Sequence, residues 1–121
     1  MNLVFIAVFG ALGSLARYGI GLWGASHGLL FPWGTLLINV LGSLILGFVA
    51  TLALEQQISE TMRLAIAVGF CGAFTTFSTF ELEVMNAILE GRFAIAIAYV
   101  ASSLVLGLLA VFLGRGLALL I

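Results

Sequence analysis

Charge is what this sequence has least of: 121 residues include four arginines, no lysine, five glutamates and no aspartate. Soluble domains carry about a quarter charged residues, so a water-solvated surface is excluded. A formal net charge of -1 gives no basic patch for nucleic acid or an anionic lipid surface. The single cysteine, Cys71, cannot form an intrachain disulfide, and in its apolar run it reads as a small buried residue. A lone His27 makes no metal cluster with it. No nucleophile stands with a base and no glycine-rich phosphate loop occurs, so the expectation is that the protein is not an enzyme. The N-terminal MNLVFIAVFG has neither the basic start nor the cleavage site of a secretory signal, and is expected to open an uncleaved first span.

What remains is 64% apolar. A membrane-crossing helix needs about 20 such residues, so four use about 80 and leave too few for a soluble catalytic domain. The first span is expected over Asn2 to about Leu22, followed by the uncharged loop GLWGASHGLLFPWG. Trp23 and Trp33 bracket that loop at the expected headgroup level, and Pro32 suits the first turn of a second span over 33–54. A polar loop follows, with Ser59 as N-cap and Glu60 in a first turn. The fourth span is placed over 93–114. The domain is a single transmembrane unit over residues 1–121.

The third span, 62–90, is too long for one straight crossing: its 29 residues would reach about 43 Å. Gly91 suits its end. Its midpoint, residue 76, lies in GFCGAFTTFSTF, where glycine and hydroxyl side chains weaken a helix. The expectation is a helix broken near 72–78 at mid-membrane. Non-helical backbone at that depth must be buried in protein or line a wet cavity, so the break points to function.

With four spans, Arg63 and Arg115 fall on the side of the termini, and Arg17 and Arg92 on the other. Arginine excess normally sets orientation, so a tie predicts insertion both ways. Dual topology permits an antiparallel homodimer with its axis in the membrane plane, as inverted repeats achieve in larger transporters.

Thr35, Asn39, Ser43 and Gly47 recur every fourth residue on the second span, and Tyr99, Ser103 and Gly107 repeat the design on the fourth. Helix packing alone accounts for single hydroxyls, but the Asn39 amide lies deep enough to need hydrogen-bond partners. Phe77 and Phe80 share a face beside the break, where their ring edges are electropositive and Thr75, Thr76, Ser78 and Thr79 add hydroxyls. Arg17 either snorkels to the interface or marks an anion vestibule. Glu81 and Glu83 fall within the second half-helix and need water or partners.

GSLARY at Gly13–Tyr18, GTLLINVLGSLILG at Gly34–Gly47 and GFCGAFTTFSTF at Gly69–Phe80 together resemble the Fluc (CrcB) family of fluoride channels. The resemblance runs the length of the chain, and the third motif is highly specific. It implies an all-α, dual-topology antiparallel dimer in the bacterial inner membrane, with two pores for passive fluoride export that protects the cell. It also implies a central sodium ion (Na+) held by the backbone carbonyls of Gly72 and Thr75. By motif the pore uses Asn39, Phe77, Phe80, Ser78 and Thr79, with Tyr99 and Ser103 matching by spacing. Glu83 fits an acidic position of the family. Glu81 departs from it, standing where the family commonly has serine, and leaves the effect of an extra carboxylate beside the pore open. A small proton-coupled drug exporter has similar size, but needs an embedded carboxylate, usually in the first span, where the one charge here is Arg17. A non-transporting membrane assembly protein is the third reading, with the hydroxyl stripes serving packing alone.

Overall fold

The computed structural model describes residues 2–121, all helical apart from short connections. Helix α1 covers Asn2–Ser26, α2 Trp33–Leu54, and α6 Phe93–Ala118. Between them the third span is built in pieces: α3 (Glu60–Arg63), a π-helical segment (Leu64–Cys71), α4 (Gly72–Phe74), then α5 (Phe77–Leu89). Four stretches are therefore long and apolar enough to cross a membrane. Leu3, Leu12 and Leu15 on α1 and Leu104, Leu108 and Phe112 on α6 are exposed. Such rows of bare leucine suit lipid as the surrounding medium.

Helix α1 runs one turn past Leu22, because its end is held by its own side chains. Ser26 Oγ donates to the Trp23 carbonyl at 2.7 Å, and His27 Nδ1 lies 2.8 Å from the same oxygen. A carbonyl only accepts, so Nδ1 carries a proton. Gly28 then reverses the chain at φ +58, a left-handed conformation that glycine adopts without steric cost. Ser59 caps α3, its hydroxyl accepting from the Met62 amide at 3.2 Å, and Arg63 pairs with Glu60 across one turn.

The break is confined to two residues. Thr75 (φ -76, ψ 157) and Thr76 (φ -149, ψ 117) are extended, with helix on both sides. The π-helical turns before it have no counterpart in the sequence reading. They carry more residues per turn than an α-helix, so they take up part of the span's excess length.

Small residues set how the helices meet. A Cβ at Gly13 would overlap the Phe70 carbonyl, and one at Gly69 would meet Ile6 O, so α1 lies directly on the π-helical segment. Helices α2 and α6 approach as closely. A Cβ at Gly47 would strike the backbone of Val111, and one at Gly114 that of Leu44 and Phe48. Gly114 is thus a packing residue within α6, which continues to Ala118.

Gly114→Ala is expected to destabilise the protein by about 1–3 kcal/mol through overpacking against backbone that cannot yield. Gly116→Ala, where a Cβ meets nothing within 4 Å, is expected to be neutral or stabilising by up to about 1 kcal/mol. Thermal unfolding of the two variants in the same detergent checks the contrast.

Candidate functional site

An extended pair of residues inside a membrane protein exposes backbone groups that a helix would have paired. Here one side chain takes both groups of Thr76. Asn39 Nδ2 donates to the Thr76 carbonyl at 3.0 Å, and the Thr76 N–H donates to Asn39 Oδ1 at 2.8 Å. A carboxamide suits this because it carries a donor and an acceptor side by side, matching the N–H and C=O that one extended residue turns to the same side. The Thr76 hydroxyl in turn caps α5, accepting from the Thr79 N–H at 3.2 Å and lying 3.0 Å from the Thr79 hydroxyl. Thr75 folds back, its hydroxyl donating to the Cys71 carbonyl at 2.8 Å. The Thr75 methyl occupies the space where Gly42 lacks a side chain. Among the described residues no hydrogen bond ends on the carbonyls of Gly72 or Thr75.

Two cavities flank the break. The larger, about 600 Å³, opens between α1, α2, α5 and α6, and its polar wall holds Arg17, Thr35, Thr76, Thr79, Glu83 and Tyr99. Glu83 is fixed there from two helices: Thr35 Oγ1 donates to one carboxylate oxygen at 2.8 Å and the Tyr99 hydroxyl to the other at 2.6 Å. Tyr99 is 1% exposed, and the Phe80 ring stands edge-on to it at 5.0 Å. Arg63 and Arg92 each pair with a glutamate. Arg17 has no ion pair among the described residues and faces the cavity half-buried. The smaller cavity, about 290 Å³, has Asn39, Ser43, Cys71, Gly72, Thr75 and Phe77 in its wall.

The structure thus gathers Arg17, Thr79 and Tyr99 on one side of the break, and Asn39, Gly72, Thr75 and Phe77 on the other. Phe80 bridges them, its ring 5.8 Å from that of Phe77. The two rings nevertheless face differently: Phe77 is 71% exposed, while Phe80 is half-buried. Ser78 is exposed and lines neither cavity. Ser103 Oγ is buried and has no hydrogen-bond partner among the described residues, and it lies apart from both cavities. Thr35, Thr76 and Glu83 join the site by their bonds, whereas the sequence shows them only as part of a polar face, an added hydroxyl and a carboxylate in need of partners. The spacing of Thr76, Thr79 and Glu83, three and four apart, is the signal that links them.

These features define a class: a multi-pass, all-helical membrane protein whose third span is interrupted between two cavities. A family model described as "CrcB-like protein, Camphor Resistance (CrcB)" matches residues 4–115, and the chain belongs to that family. It is 47% identical over 116 residues to a protein of Acidobacterium capsulatum named fluoride-specific ion channel FluC, covering 94% of this chain and 93% of that one. A protein of that name from a Roseiflexus species is 44% identical over 120 residues, covering 98% and 97%. FluC 2 of Symbiobacterium thermophilum is 48% identical over 115 residues, covering 93% and 94%. The family is one of channels and not of enzymes.

Asn39→Ala removes both partners of Thr76, and is expected to cost about 1–3 kcal/mol for each backbone group left unpaired. Asn39→Asp retains the acceptor but turns an oxygen toward the Thr76 carbonyl, so it should also be destabilised. Melting of Asn39→Ala at the wild-type temperature would show that the amide does not hold the break.

Proposed function

We propose that this chain is a fluoride-selective channel of the inner membrane, giving passive fluoride export and hence resistance to the ion. The carrying observation is the near-full-length similarity to proteins named fluoride-specific ion channels. The whole chain acts as one channel unit and works as an antiparallel, dual-topology homodimer, consistent with its balanced arginines.

Fluoride is small and strongly hydrated, so a selective path must replace its water with closely spaced donors while holding it weakly enough for exit. The residues proposed for that path are Asn39, Phe77, Ser78, Thr79, Phe80, Tyr99 and Ser103, with Arg17 in the vestibule. Arg17 suits anion recruitment because, among the described residues, no carboxylate pairs with it. Phe80 and Phe77 supply ring edges, which attract an anion without fixed charge. Asn39 serves mainly as the clasp on Thr76; one N–H of its amide remains to donate. Glu83 is the embedded carboxylate that a proton-coupled cation exporter would use, so the transport test includes a cation.

The family implies sodium at the dimer centre. The Gly72 and Thr75 carbonyls fit it, being hard, neutral oxygen donors not engaged in hydrogen bonds at the negative end of a half-helix. Bound there, sodium would supply fixed positive charge and satisfy those carbonyls. The chain's own part is to fix the peptide that carries the Thr75 carbonyl, which Asn39 does by accepting from the Thr76 N–H.

In proteoliposomes the expected result is rapid fluoride efflux, with chloride and a lipophilic cation retained. Phe77→Ile and Phe80→Ile, which keep bulk but lose the polar edge, should each lower flux about tenfold, the scale of one aromatic contact. Replacing sodium on both sides by a large organic cation should lower flux and dimer stability together. Cation transport without fluoride transport would contradict the reading, and unchanged behaviour without sodium would contradict the metal assignment alone.

A further inference from the structure

Glu81 and Glu83 are two residues apart on α5, yet they are held in opposite ways. Glu83 points into the large cavity and receives two hydroxyl donors. Glu81 is exposed, and among the described residues it makes no hydrogen bond or ion pair. It shares a row with Phe77 and Met85, one turn away on either side, and both of those are exposed as well.

No charge on a neighbouring helix answers it. Helix α2 carries no charged residue. On α6, Tyr99 is bonded to Glu83, Arg92 is paired with Glu90, and Arg115 stands in the last turn at the far end. On α1, Arg17 faces the large cavity, on the Glu83 side. Glu81 lies about 12 Å inside the outer end of α5, and about 6 Å beyond Phe77. An ionised carboxylate at such depth is costly against lipid, and persists where water reaches it.

Building on the fluoride reading, we infer that Glu81 stands in the wet approach to the Phe77 ring and limits the rate at which anions reach it. Its row is continuous with Phe77 and separate from the cavity wall that holds Tyr99 and Glu83. A negative charge about one helical turn from the ring raises the energy of an approaching anion. Screening by vestibule water keeps the effect partial, so the charge slows passage without closing the path.

The test uses the full chain in liposomes, with initial fluoride efflux per protein read by a fluoride electrode over a range of fluoride concentrations. Glu81→Gln and Glu81→Ser should each raise efflux about three- to tenfold and lower the fluoride concentration for half-maximal rate, as removal of a screened unit charge predicts. Glu81→Asp, which keeps the charge, should fall well short of that increase. Two neutral variants guard against one that does not assemble. Neutral variants at or below the wild-type rate would overturn the inference, and a weaker dimer alongside would mean that Glu81 pairs with an arginine of a second copy. Wild-type protein without fluoride efflux would instead count against the channel reading itself.

Discussion

A break in a membrane-spanning helix stands or falls with what replaces the lost backbone hydrogen bonds. In water the solvent would supply them; in a bilayer each unpaired group costs several kcal/mol. Here the replacement for Thr76 is one asparagine on a different helix, whose side-chain amide pairs with both backbone groups of that residue at 2.8 and 3.0 Å. The rest of the site follows. Thr76 held extended frees its hydroxyl to cap α5, and α5 then starts at Phe77 and turns Phe80 against Tyr99.

The break also brings two helix ends together. The half-helix ending at Phe74 presents carbonyls, and α5 beginning at Phe77 presents N–H groups. Opposite partial charges therefore stand two residues apart, one end suited to a cation and the other to an anion. This arrangement places opposite partial charges close together with no lysine and no arginine at the break itself. Close glycine contacts between α1 and the π-helical segment, and between α2 and α6, hold the scaffold that carries it.

Much of this architecture was legible in the sequence, because length and hydropathy report directly on membrane crossing. The interruption was legible from excess length together with the glycines and hydroxyls of GFCGAFTTFSTF. Other features were not, for identifiable reasons. The last turn of α1 lies in a glycine-rich stretch that looks like a loop, but membrane helices tolerate glycine and Ser26 and His27 close the end. The π-helical turns occur in LAIAVGFC, a uniformly apolar run with no local sign of altered hydrogen bonding. Asn39 was conspicuous as a deep polar residue, and Glu83 as a carboxylate in need of partners. What they touch is a property of the fold: Thr76 lies 37 residues from Asn39, and Thr35 lies 48 from Glu83.

The clasp is the central claim, and the Thr76 amide reports on it most directly. Hydrogen exchange resolved to that residue in the reconstituted protein should be slow, comparable with amides inside α2, although Thr76 is not helical. Exchange as fast as at Ile58 and Ser59, whose amides make no hydrogen bond in the connection after α2 among the described residues, would contradict the account.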